Sequence, residues 1–137
     1  MQREFRFPPE IHGGAVVVCA PISALKFRGI TSAVQQSHTA ELVAAKGIAQ
    51  LQVVGRIEEQ TKLKALQAML VSVNGNELVG LDKDKWFNSL SMQGFKLMES
   101  IWENLHEIGA SDVEYLFAEK KDDKEPSLEL EGLPGND

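Results

Sequence analysis

The spacing of hydrophobic residues changes twice along this 137-residue chain, from a pattern typical of strands to one typical of helices and then to a highly charged segment. Polar and apolar residues alternate over residues 4–7, and residues 15–18 form a short apolar run rich in β-branched side chains. Both patterns favour strands. A segment with prolines and glycines separates them, so we predict an N-terminal β-hairpin with a linker longer than is usual.

The middle of the chain favours helices. No proline occurs between Ile22 and Glu125, and a proline inside a helix costs about 3 kcal/mol. Ser23 is suitably placed to cap a first helix that runs to about Gln36. One face of that helix carries apolar residues at spacings of three and four, namely Phe27, Ile30 and Val34.

Two further helices are predicted before residue 75. The first of these has Thr39 as its cap and carries Leu42, Ala45 and Ile48, with Leu51 as a further candidate. Its end is open, because Gly47 and Gly55 interrupt it and residues 50–53 alternate like a strand. The next helix carries the stripe Ile57, Leu63, Leu66, Leu70 and Val73. We expect Asn74 and Gly75 to stop it, since both residue types tolerate a left-handed backbone.

Two helices with aromatic residues follow. The short one is capped by Asp82 or Asp84 and holds Trp86, Phe87 and Leu90. Ser91 can cap the other, which is the most periodic segment of the chain and ends at Gly109. Its apolar stripe consists of Phe95, Met98, Ile101, Trp102, Leu105 and Ile108. Residues 112–116 add at most a final helical turn.

The C-terminal segment differs in composition from the rest of the chain. Residues 119–137 contain seven acidic residues and three lysines, so they carry -4 of the net charge of -6. We expect residues 120–126 to form a solvated linker. Leucine and acidic residues then alternate, with leucines at Leu128, Leu130 and Leu133. Spaced leucines gain nothing in a free coil, so we expect these three to dock on a partner or on a neighbouring copy, forming a homo-oligomer.

These patterns together predict the fold class. We expect one α+β domain over residues 1–118, mainly helical, with an N-terminal β-hairpin. An extended acidic tail over residues 119–137 completes the chain. A domain of this size buries roughly two-thirds of its unfolded surface and therefore needs neither a metal ion nor a disulfide to fold.

Composition removes several classes of partner. A net charge of -6 argues against nucleic acid as the main partner, because phosphate requires a basic surface. The longest apolar run, residues 15–22, is too short to span a membrane. The single cysteine cannot form an internal disulfide, which favours an intracellular protein.

No catalytic motif is evident. The sequence has no glycine-rich phosphate loop and no nucleophile elbow. Cys19 ends an apolar run and is better explained as a small buried hydrophobe than as a nucleophile. His106 follows Glu103 by three residues, but a carboxylate-bridged metal site needs two such pairs, so a solvated polar face is the better interpretation. We therefore predict no metal, no cofactor and no enzymatic activity. A small enzyme that uses Cys19 or His106 is the alternative.

Four aromatic residues lie close together in the sequence, and they have two interpretations. Trp86, Phe87, Phe95 and Trp102 occur at helical spacing. Aromatic residues at that spacing usually belong to the core. Large aromatic side chains are also typical anchors of protein interfaces, so these four are candidates for a groove that binds a partner protein.

The order of these features resembles a known family. The resemblance rests on the Phe-Arg-Phe-Pro start at residues 5–8, the Ala-Leu-Lys-Phe-Arg-Gly-Ile segment at residues 24–30 and the Leu-Val-Ser-Val-Asn-Gly stretch at residues 70–75. An acid-flanked short helix then leads into a long amphipathic one. This arrangement resembles, over residues 3–117, the small tail-assembly chaperones of long-tailed bacteriophages and the related small baseplate-assembly proteins.

The resemblance implies a mode of action. Members of these families have a modest α+β or mainly helical body, often with an acidic C-terminal extension, and they handle aggregation-prone tail components. They have no catalytic residues. The implied function is a tail or baseplate assembly chaperone in the bacterial host cytoplasm. The alternatives are a baseplate or tail subunit retained in the virion and a host adaptor or regulatory protein.

Overall fold

The computed structural model describes the backbone of residues 1–123 and the side chains of residues 1–117. These residues form an α+β fold that is mainly helical, with six helices and one four-stranded antiparallel sheet of order β1-β2-β3-β4 among them. The fold class predicted from the sequence is confirmed. The chain divides into two compact units, one of residues 1–106 and one that begins at Glu107.

The N-terminal hairpin is confirmed. Strands β1 (Arg3–Arg6) and β2 (Val16–Cys19) pair antiparallel. A hydrogen bond joins the two ends of the linker between them, because the Phe7 N–H donates to the Ala15 carbonyl at 2.9 Å. Alternate residues of β2 point inward, so Val17 and Cys19 are fully buried.

The first helix also follows the prediction. Helix α1 (Ala24–Ser37) is capped by Ser23, whose hydroxyl accepts a hydrogen bond from the Lys26 N–H at 3.1 Å. Its Val34 is buried, and Ile30 is half-buried.

The predicted second helix is wrong in its length. It breaks into α2 (Thr39–Ala44) and the longer α3 (Ile48–Met69). The break has a backbone cause: Ala45 is extended, and Gly47 has a φ of 63°, a left-handed conformation that glycine adopts readily. Thr39 lies inside α2, and His38 is the capping position. Residues 50–53 are helical, so the strand alternative is also wrong.

A second hairpin replaces the end of the predicted third helix. Strand β3 (Leu70–Val73) follows α3 directly and pairs with β2 on one side and with β4 (Asn76–Glu77) on the other. Asn74 and Gly75, with φ of 51° and 83°, form the turn between β3 and β4. The prediction that they stop a helix is therefore wrong, because Asn-Gly here is a hairpin signal.

The two aromatic helices are present. Helix α4 (Leu81–Ser89) begins after Gly80, and Asp82 and Asp84 lie inside its first turn instead of capping it. There their negative charges interact favourably with the positive end of the helix dipole. Helix α5 (Met92–His106) is capped by Ser91, whose hydroxyl accepts from the Gly94 N–H at 3.0 Å, as predicted. It ends at His106, before Gly109.

The core of the first unit has two parts. The main part lies between the sheet and helices α3, α4 and α5, and its fully buried members are Leu66, Met69, Leu70, Met98, Val17 and Cys19. A smaller cluster of Val34, Val53 and Ile57 joins α1 to the N-terminal half of α3. Helix α3 belongs to both parts and therefore holds the first unit together.

The second unit contains helix α6 (Ala110–Asp123). The sequence predicted one final turn and then a linker, and this prediction is wrong for residues 117–123, which continue the helix. Before the helix, the Asp112 carboxylate accepts from the Gly109 N–H at 3.3 Å. The predicted linker beyond residue 123 lies outside the described residues.

Candidate docking cleft

A cleft whose lining surface is mostly apolar opens on the first unit, between helices α1, α3 and α5. Its volume is about 460 Å³. Phe27, Thr31 and Gln35 line it from α1, and they follow one another at intervals of four residues. Such spacing keeps all three on one face of the helix. Residues 27–35 rise about 12 Å along the helix axis, which is the length of about two helical turns.

The floor of the cleft consists of apolar side chains. Ile57, Ala65 and Leu66 of α3 are buried there, so they are held in place by the rest of the core. Phe27 and Trp102 contact each other and form one aromatic wall, with ring centroids 6.0 Å apart and planes tilted by 44°. Phe27 remains 39% exposed and Trp102 is half-buried. The pair therefore presents apolar surface to solvent at the cleft.

The rim of the cleft is acidic. It carries the three carboxylates of Glu58, Glu99 and Glu103 and a single cation, Lys62. Lys62 is already occupied, because its ammonium group pairs with Glu99. This hydrogen bond and the charge of Glu99 raise the pKa of Lys62 above its ordinary value. Among the residues that the structure describes, Glu58 and Glu103 form no salt bridge, so the rim keeps a net negative charge.

His106 holds Trp102 in position. Its Nδ1 is 2.8 Å from the Trp102 carbonyl, which can only accept, so Nδ1 carries the proton. Its Nε2 is then free to accept from the Ile22 N–H at 3.0 Å. The imidazole also lies 4.0 Å from the Trp102 ring. The prediction of a solvated polar face is thus wrong for His106, which is half-buried and links the end of α5 to the segment before α1.

The four candidate aromatic residues do not share one groove. Phe87 is only 6% exposed and belongs to the core, where its ring packs edge-on against Trp86 with centroids 5.2 Å apart. Trp86 and Phe95 are half-buried against the same core. Of the four, Trp102 alone lines the cleft. The sequence left a common groove as one of two interpretations, because helical spacing places side chains on one face of a helix but does not decide what covers that face.

The three candidate leucines of the tail, Leu128, Leu130 and Leu133, lie outside the described residues. Their docking on a partner or on a neighbouring copy stays a prediction. The acidic composition of that segment nevertheless matters for the cleft, because its charge has the same sign as the rim.

The environment of Cys19 disfavours a role as nucleophile. Its side chain is fully buried in the main core. Burial raises the pKa of the thiol to about 12, although the charge of Lys83 acts in the opposite direction. The reactive species is the thiolate. At neutral pH the Cys19 sulfur is therefore protonated and out of reach of solutes.

A shallow recess of opposite charge lies beside α1, lined also by α3 and α4. It contains Lys26, Lys64 and Lys83 around Ile30 and Leu81. Lys83 is engaged in the fold, because its ammonium donates to the Gln67 carbonyl at 2.8 Å. Burial and the neighbouring charge of Lys26 lower its pKa. The first unit thus carries an acidic-rimmed cleft and a lysine-lined recess at the same pair of helices, α1 and α3.

Two exposed apolar stripes remain, and of their members the sequence analysis placed only Ile48 and Leu51 on an apolar helix face. On α3, Ile48, Leu51 and Val54 follow one another every three residues and remain exposed while Val53 and Ile57 are buried. On α6 of the second unit, Val113, Leu116 and Phe117 are exposed at spacings of three and four, and Tyr115 is exposed as well. The helical spacing of apolar residues is the sequence signal that indicates both stripes. In residues 48–54 a strand-like alternation obscures this spacing, and in residues 112–116 the predicted single turn is too short to show it.

The described part of the chain has no further site of a recognisable kind. No group of three or more His, Cys, Asp or Glu side chains within it is arranged to hold a metal ion. No helix of residues 1–123 is both long enough and apolar enough to cross a bilayer. Comparison with models of known protein families, with curated proteins and with solved structures gives no match to this chain.

Proposed function

We propose that this protein is a non-enzymatic protein-binding factor of bacteriophage tail morphogenesis, acting as a tail or baseplate assembly chaperone in the bacterial host cytoplasm. The observation that carries the proposal is the cleft between α1, α3 and α5, in which Phe27 and Trp102 remain partly exposed above a floor of buried apolar side chains. An open apolar cleft on a protein surface is typical of binding sites for another molecule.

The shape of the cleft favours a helical or extended segment of a partner protein. About two helical turns of α1 line one side, and grooves between helices commonly accept an amphipathic helix through a few apolar anchors. Phe27 and Trp102 are suited to contact such anchors because aromatic rings offer large apolar area with little conformational freedom to lose. A chaperone that covers an apolar helix of a tail component keeps that component from aggregating before assembly.

The assignment to phage tail assembly rests on the resemblance in sequence. The α+β, mainly helical fold is compatible with it. The chemistry of the described residues is compatible too, since Cys19 is buried with a protonated thiol and His106 has both ring nitrogens engaged in hydrogen bonds. A small enzyme that uses either residue is therefore the weaker alternative.

A structural subunit retained in the virion is the second candidate, and a specific observation favours it. The exposed stripe of Val113, Leu116 and Phe117 on α6 is of the kind that becomes buried in a permanent assembly. Such a subunit remains in the finished particle in stoichiometric amount, whereas a chaperone departs.

Deletion of the gene tests the proposal. We expect the gene to lie among phage tail and baseplate genes, and its deletion to leave particles without normal tails in electron micrographs, with recovery on complementation. Mass spectrometry of purified wild-type particles then separates the two candidates, since a chaperone leaves no stoichiometric signal. A gene outside any phage tail cluster, or normal tails after deletion, would refute the assignment to tail assembly.

A further inference from the structure

We propose that the cleft between α1, α3 and α5 selects a cationic amphipathic segment, one with apolar residues at helical spacing and lysine or arginine residues on its flanks. The inference deepens the proposed function and rests on it, because it specifies the chemistry of the partner segment. It is carried by the combination of an apolar floor with an acidic rim.

The apolar part of the cleft sets the first requirement. Ile57, Ala65 and Leu66 form a floor already packed into the core, so this floor accepts side chains without rearranging. Residues 57–65 of α3 span about 12 Å, the same length as the α1 wall. A bound helix of about two turns thus places two or three apolar side chains over this floor and against the Phe27–Trp102 pair.

The charges of the rim set the second requirement. Lys62 is paired with Glu99 and also lies near the charge of Glu103, so one cation faces three carboxylates and the rim keeps an excess of negative charge for whatever enters the cleft. A lysine or arginine beside the apolar anchors compensates this excess charge. An aspartate or glutamate in the same position is repelled, which makes the charge of the segment a means of discrimination.

The acidic rim also disfavours one segment of the chain itself. The leucine-containing stretch at residues 127–133 has apolar side chains at short spacing, but its charged residues, Glu129 and Glu131, are both acidic. A peptide of this sequence has apolar side chains but negative charge, so we expect it to bind the cleft weakly.

Fluorescence anisotropy with labelled peptides and the full-length protein tests the inference. The probe is a synthetic amphipathic peptide of about four helical turns built from leucine and lysine. The matched control peptide replaces every lysine with glutamate, and the third peptide has the sequence of residues 126–134. We expect the lysine peptide to bind most tightly and its affinity to fall with added salt, because exposed charges are screened.

Two variants locate the binding at the cleft. The double substitution Glu58→Gln and Glu103→Gln should weaken the lysine peptide about three- to tenfold, the range typical of two exposed ion pairs. Thr61→Phe fills the cleft from α3 and should weaken the lysine peptide without changing the preference for positive charge. Glu77→Gln removes an exposed carboxylate in β4, away from the cleft, and should leave the affinity unchanged. Circular dichroism confirms that each variant is folded.

Three results would overturn the inference: no binding of the lysine peptide, equal binding of the lysine and glutamate peptides, or the same affinity for the double variant as for the wild type. None of these bears on whether deletion of the gene abolishes tails. The partner chemistry and the proposed function therefore fail separately.

Discussion

The imidazole of His106 accepts a hydrogen bond from the backbone N–H of Ile22, which lies 84 residues earlier in the chain, at 3.0 Å. This contact fastens the segment before α1 to the end of α5. Both helices line the cleft, α1 through Phe27 and α5 through Trp102. The hydrogen bond therefore adds to the direct contact between Phe27 and Trp102 in joining these two helices.

Removal of this acceptor tests its contribution. His106→Phe keeps an aromatic ring against Trp102 but leaves the Ile22 N–H, in a partly buried position, without an acceptor. We expect the free energy of unfolding to fall by about 1–3 kcal/mol, measured by urea denaturation. His106→Ala removes the ring as well and should cost more. Stability equal to wild type for His106→Phe would mean that the hydrogen bond contributes nothing.

Gly94 in α5 illustrates how a close contact reverses the usual effect of a helical glycine. A Cβ at this position would lie 3.0 Å from two atoms of the His12 ring and 3.1 Å from Leu90 Cδ2. The His12 ring is held there because its Nε2 accepts from the Ser91 N–H at 3.0 Å. We expect Gly94→Ala to destabilise the protein by about 1 kcal/mol net, since crowding outweighs the better helix propensity of alanine.

The background His12→Ala provides the control. Without the imidazole, two of the three close contacts of a Cβ at residue 94 are gone and only that with Leu90 remains, so Gly94→Ala should be less destabilising there. Thermal unfolding of the four proteins in this double-mutant cycle measures the coupling. Additive effects of the two substitutions would contradict the proposed contact.

Gly29 and Gly13 form a matched pair with opposite expected outcomes. A Cβ added at either glycine would meet no atom within 4 Å, but Gly29 lies within α1 whereas Gly13 has a φ of 64°. Gly29→Ala should stabilise the protein by about 0.5–1 kcal/mol through helix propensity. Gly13→Ala should destabilise it by about 1 kcal/mol, because a side chain is strained in the left-handed region. Urea denaturation of both variants decides, and equal signs would contradict the backbone argument.

From the burial of the Cys19 thiol we predict that the stability of the protein falls at alkaline pH. Burial raises the pKa of the thiol from 9.0 to about 12 in the folded state. The unfolded chain therefore loses this proton at lower pH than the folded chain does, so the stabilising contribution is complete below pH 9 and is lost as pH rises toward 12. The loss reaches at most about 1.4 kcal/mol per pH unit.

Comparison with Cys19→Ala isolates this effect from other groups that titrate in the same range. The variant is less stable at neutral pH because it leaves a small cavity, but its stability should fall less steeply above pH 9 than that of the wild type. Reaction of the thiol with a chromogenic disulfide reagent supplies a second measurement. We expect labelling only as fast as the protein unfolds, and immediate labelling of the native protein would contradict full burial.

The sequence by itself determined the features that depend on nearest neighbours along the chain. Ser23 and Ser91 cap their helices as predicted, because a cap needs only a hydroxyl and the N–H groups two or three residues later. The N-terminal strands and the long periodic helix α5 likewise follow from local alternation and spacing.

Tertiary pairing decided the rest. Leu70 and Val73 are three residues apart, a spacing typical of a helix, and the pairing of β3 with β2 and β4 makes this segment a strand. The cleft depends on contacts between residues still farther apart in sequence, since Phe27, Ile57 and Trp102 come from three different helices. Local spacing specifies which face of each helix is apolar. Which of those faces is buried and which stays open to solvent depends on how the helices pack, and that is a property of the whole fold.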